Sequence, residues 1–118
     1  MTLQIRYLKG WWLMSRVFVT QEDPTKNLSA AKEFGQIKVL LPPTQVTFDA
    51  TWAIEEMFKK LEEFKDEDYL LLVGDPVIMI LAASIVSWVT GGKYNILKWD
   101  RETRTYNPLT IDLRLPND

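Results

Sequence analysis

Tyr69-Leu70-Leu71-Leu72-Val73-Gly74-Asp75-Pro76-Val77-Ile78-Met79-Ile80-Leu81 is the stretch whose reading decides the fold. Tyr69 to Val73 is a continuous apolar run. It is too short for a helix and does not alternate, as expected of a strand covered on both faces. Gly74 breaks the run. Asp75 then offers a side-chain acceptor to the orphan N–H groups of a helix start, and Pro76 suits the first helical position, where no N–H is needed. The spacing predicts a helix from Pro76 to about Val89, stopped by Thr90-Gly91-Gly92. This helix is apolar nearly all round, which predicts deep burial. A buried strand that passes straight into a helix is the building block of a partly parallel sheet.

Upstream, Ala50, Ala53, Ile54, Met57, Phe58, Leu61 and Phe64 form one apolar stripe at helical spacing. Asp49 or Thr51 can cap that helix, and Glu55–Lys59 and Glu56–Lys60 are i,i+4 pairs in the favourable order. Ile37 to Leu41 reads as a strand ended by Pro42-Pro43. Downstream, Tyr94 to Trp99 and Thr105 to Leu115 read as two arms of a hairpin, with Pro108 marking an edge strand or a bulge. The fold class is therefore α/β: a small mixed sheet with a βαβαββ core over residues 37–115 and helices packed on the sheet. Leu3, Ile5 and Tyr7 alternate with polar residues, and Leu13 to Val19 reads as a second strand after a turn at Lys9-Gly10. Gln21 to Ala31 is a loop or short helix, with one helical turn beginning near Ser29 and ending at Gly35. Residues 1–36 are expected to be an N-terminal extension packed on the core, and residues 1–118 a single α/β domain.

The composition limits the chemistry. The 118 residues contain no cysteine and no histidine, with a formal net charge of -2. Disulfides, thiol nucleophiles, Cys-based metal sites and Ser-His-Asp catalysis are excluded within one chain. The charge balance argues against sequence-independent nucleic-acid binding, which needs a basic face. Arg6, Lys9 and Arg16 interrupt the apolar N-terminus, so a signal peptide is not expected. The longest apolar run, Val77 to Val89, falls short of the roughly 20 residues that cross a bilayer. A cytoplasmic location with no membrane contact is the expectation.

Ligands of open α/β sheets bind beyond the carboxyl ends of the strands, which points to Gly74-Asp75-Pro76. A helix start there could hold an anion, but Asp75, as a cap, competes for the same N–H groups. No glycine-rich phosphate motif is present. Asp49, Asp75 and Asp100 could hold a metal only if at least two converge; cap and turn roles are the simpler reading. Glu62, Glu63, Asp66, Glu67 and Asp68 read as a solvated helix end. Lys98, Arg101 and Arg104 flank Trp99, with Lys93 and Tyr94 nearby. That pattern can stack on single-stranded nucleic acid, but a buried Trp beside a charged hairpin tip is the simpler reading. Adjacent Trp11 and Trp12 cannot both face a core, so they are candidates for an interface.

Asp68-Tyr69-Leu70-Leu71-Leu72-Val73-Gly74-Asp75-Pro76, then Asn95-Ile96-Leu97-Lys98-Trp99-Asp100-Arg101, then Tyr106 resembles a group of small bacteriophage and prophage proteins over about residues 37–113. The resemblance implies a viral origin and a host-cytoplasmic setting. It supplies no activity, substrate or catalytic residue. A site, if present, is expected between the two halves of this signature, among Gly74, Asp75, Lys98, Trp99, Asp100 and Arg101. The expected function is that of a non-enzymatic accessory protein that binds a host or phage protein, or itself, with no cofactor or metal. The alternative is a nucleotide- or anion-binding module at the Gly74-Asp75-Pro76 crevice. An enzyme built on carboxylates and a metal ranks third.

Overall fold

Apolar runs that alternate with helical stripes become a layered sheet. The computed structural model describes residues 15–114 and 116. Its strands are β1 (Arg16–Gln21), β2 (Gln36–Leu41), β3 (Tyr69–Leu71), β4 (Lys93–Asp100) and β5 (Thr105–Asp112), and its helices are α1 (Thr51–Leu61) and α2 (Pro76–Thr90). A 3-10 helix, Ser29–Phe34, lies between β1 and β2. The sheet order is β2-β1-β3-β4-β5, parallel except for the β4–β5 hairpin. The mixed α/β class expected from the sequence is the observed one.

Right-handed crossovers explain the layering. The links through α1 and α2 step across the sheet in the same direction, so both helices cover one face. Phe18, Leu40, Leu70 and Tyr94 pack there against Ala53, Met57, Leu61, Ile78 and Ala82. The β1–β2 link steps the opposite way and covers the other face, where Ala31 and Leu28 meet Val17, Val19, Leu71 and Leu97. Leu70 and Leu71 thus bury on opposite faces, as the unbroken apolar run predicts. Each fully buried Leu contributes about 1.5–3 kcal/mol.

β1 is an interior strand of the sheet, paired to β2 on one edge and to β3 on the other. It comes from the segment that the sequence reading sets outside the 37–115 core. The reason is physical: its link to β2 carries only one short 3-10 helix, too brief to show the periodicity by which a crossover is recognised. The expected strand at Leu3 to Tyr7, the Lys9-Gly10 turn, Trp11 and Trp12 lie outside the described residues.

Two further details depart from expectation. Asp68 does not sit on a solvated helix end. It is fully buried, and its carboxylate accepts from Arg16 N–H (3.0 Å), Arg16 Nη2 (2.8 Å) and Lys65 N–H (2.8 Å). That clamp ties the start of β1 to the loop after α1. Nor is α2 deeply buried all round. Ile78, Ala82, Ile85 and Val86 face the sheet, but Trp88 is 80% exposed and Ile80 64% exposed. The sheet offers one apolar layer, and among the described residues nothing covers the helix's outer side.

Candidate functional site

The carboxyl ends of the parallel strands carry two clefts. The first lies between β1 and β3, where the chain connections diverge and open α/β sheets place their ligands. Gln21, Glu22, Asp23, Pro43, Gly74 and Asp75 are among its lining residues. Its floor is a closed hydrogen-bond network. Gln21, at the end of β1, donates from Nε2 to the carbonyls of Pro42 (2.9 Å) and Thr44, and its Oε1 accepts from Asp75 N–H (2.8 Å). Asp75 caps α2 as the sequence predicts, with Oδ1 accepting from Val77 N–H (2.9 Å). Its Oδ2 accepts from Val46 N–H (2.8 Å). Gly74 has a φ of 101°, and a Cβ there would overlap the Gln21 side chain. The crevice is thus a splice that ties three strand ends to a helix start. No Lys or Arg lines it, and Glu22, Asp23 and Asp75 are carboxylates. An anion would find no cation there, and the helix N–H nearest to it is taken.

The second cleft, of about 500 Å³, lies between β3 and β4. Leu71, Leu72 and Val73 form one wall, Leu97, Trp99 and Tyr106 the other, and Lys26 and Lys98 are also at its boundary. The Asp23-Thr25 turn shapes the loop at its mouth: Asp23 accepts from the N–H and hydroxyl of Thr25 (2.9 and 2.6 Å). The Thr25 hydroxyl holds the Asp23 carboxyl below the usual carboxylate range. Trp99 is 43% exposed rather than buried, and its ring meets Tyr106 edge-on at 4.9 Å between centroids. Burial pushes the Tyr106 hydroxyl up from its ordinary value.

The expected site residues are therefore divided. Gly74 and Asp75 line the first cleft, and Lys98 and Trp99 the second. Asp100 and Arg101 line neither; Asp100 accepts from Glu102 N–H (2.9 Å) in the hairpin turn, a bond that lowers its pKa. Asp49 likewise accepts from Thr51 N–H (3.0 Å), which lowers its own. Each of the three aspartates that a metal enzyme would bring together holds its own local backbone. Among the described residues no three Asp or Glu side chains gather as a metal site. Trp11 and Trp12 lie outside the described residues. Sequence reasoning missed Gln21 and Leu72. A strand's last polar residue signals Gln21 weakly; nothing local signals Leu72, whose exposure depends on where strand pairing stops.

No helix among the described residues is long and apolar enough to cross a membrane. A family model described as Phage Pam3 gp32-like protein matches residues 15–113. The matched span includes β1, which the sequence resemblance over residues 37–113 leaves out. No curated protein and no solved structure matches the chain.

Proposed function

The chain belongs to the Phage Pam3 gp32-like protein family, and from that premise we propose that it is a non-enzymatic binding protein of the host cytoplasm. On this reading it engages a host or phage protein, or a second copy of itself, through the outer face of α2. The observation that carries the reading is the apolar stripe there. Val77, Ile80 and Trp88 recur along one side of a helix without a single charged residue, and Leu113, 63% exposed, flanks its C-terminal end. Exposed Trp is enriched among residues that dominate binding energy. Exposed apolar residues grouped on one helix face, here interrupted by Ser84 alone, mark an interaction surface more often than apolar residues scattered singly. The lack of His and Cys, and the local engagement of Asp49, Asp75 and Asp100, support a role without catalysis.

The test is a paired measurement on the full chain. Solution mass and capture from host lysate are compared between the natural protein and an Ile80→Glu/Trp88→Glu variant. The proposal expects self-association or a specific captured protein that the variant loses while its unfolding midpoint is kept. A monomer that captures nothing, or a capture unchanged in the variant, would refute it.

A further inference from the structure

The sheet splits at its carboxyl end. β3 and β4 pair only at Tyr69↔Asn95 and Leu70↔Ile96. Past that point β3 turns toward β1. Leu71 pairs with Val19, and the Thr20 hydroxyl accepts from Val73 N–H (2.7 Å) and donates to the Val73 carbonyl. β4 instead continues to Asp100 in its hairpin with β5. The wedge between them is the Trp99 cleft, and its volume lies within the range of small-molecule sites.

Three properties of the wedge define what would fill it. Its walls are aliphatic and aromatic, which suits the faces of a flat ring. Trp99 is pinned edge-on by Tyr106, so it offers a stacking surface at little conformational cost. The third property is a strand edge. Past Leu97, at Lys98 and Trp99, β4 has a strand partner on its β5 side only, and no loop amide of the described residues bonds to it from the other side. A free strand edge is a row of N–H donors and C=O acceptors. A purely aliphatic ligand would bury that edge without partners, at a cost. A compact anion would gain from Lys26 and Lys98 but leave the apolar walls unfilled.

We propose that this cleft binds a planar heteroaromatic ring with donors and acceptors on its rim, the chemistry of a nucleobase, stacked on Trp99 and reading the free edge of β4. This site is separate from the α2 face and does not depend on the reading given to that face. The full chain would be titrated with adenosine, guanosine, cytidine and uridine, and with inorganic phosphate, by calorimetry and amide NMR. At least one nucleoside binds saturably, and the largest shifts fall on Leu72, Leu97 and the Trp99 indole. Trp99→Ala weakens that binding by about fivefold to a hundredfold, the range spanned by base–aromatic stacking. Phe48→Ala, at a fully exposed aromatic outside both clefts, leaves it unchanged. Should Trp99→Ala fail to fold, Leu72→Arg blocks the opposite wall, where the native side chain is already 38% exposed, and has the same effect. The proposal falls if no nucleoside binds below about 1 mM, the weak end of ligand affinities. It falls equally if binding survives both cleft variants, or if phosphate alone binds as tightly as the nucleoside.

Discussion

The splice at the carboxyl end of β1 and the outer face of α2 both draw on the stretch Gly74 to Thr90, yet they are opposite in kind. At the splice every polar group shown has a partner: Gln21 with Pro42, Thr44 and Asp75, and Asp75 with Val46 and Val77. On the outer face, Ile80 and Trp88 have apolar surface and no partner among the described residues. The first arrangement spends its chemistry inside the fold. The second leaves it available. A residue placed where α/β sheets commonly hold ligands is not thereby a ligand residue; what matters is whether its groups are already engaged.

Substitutions at the splice break the comparison most strongly. Gly74→Ala puts a Cβ against the buried Gln21 side chain at a φ of 101°. Backbone strain and the clash together should cost about 3 kcal/mol, read as a lower urea midpoint with unchanged slope. A neutral outcome would mean that the three strand ends are not locked together there. Asp75→Ala should cost about 2 kcal/mol, through the lost cap and the unpaired Val46 N–H. Asp75→Asn should recover part of it, because the amide oxygen still accepts one bond. The Ile80→Glu/Trp88→Glu variant is the counterpart. Changes at such exposed positions usually move stability by about 0.5 kcal/mol or less, so the two regions separate by which property each variant alters.

The same contrast explains what the sequence made legible. The Asp75-Pro76 helix start, the Gly91 stop, the stripe of Ala53, Met57 and Leu61 and the β4–β5 hairpin were readable because each is decided within a few neighbouring residues. Three features were not. β1's interior place depends on partners about twenty and fifty residues away in the chain. The exposure of Trp88 depends on how many layers the fold supplies, which an apolar helix cannot announce. Gly74 and Trp99 lie in separate clefts because β3 and β4 part after Leu70↔Ile96, and a pairing end leaves no local mark. The two segments of the sequence signature lie on neighbouring strands whose continuations diverge.

The smallest expected effect lies at the rim of the α2 face. Leu113 stands there between Asp112 and Arg114, whose side chains form a two-pronged pair at 2.9 and 2.8 Å. The Arg114 side chain beside it lowers the Asp112 pKa from 3.8 to about 2. The folded value lies below the unfolded one, so the contact's contribution is present above about 3.8 and is lost as pH falls through about 2. Both groups are exposed, so salt screens the contact and the effect on global stability is slight. The measurement is therefore local: a side-chain carboxyl titration by NMR. Asp112 should titrate near 2 in the natural chain and return toward 3.8 in Arg114→Ala. An Asp112 that already titrates near 3.8 in the natural chain would mean that the pair does not persist in water. The rim of the apolar face would then be as unconstrained as its centre, and the contrast with the locked splice would sharpen further.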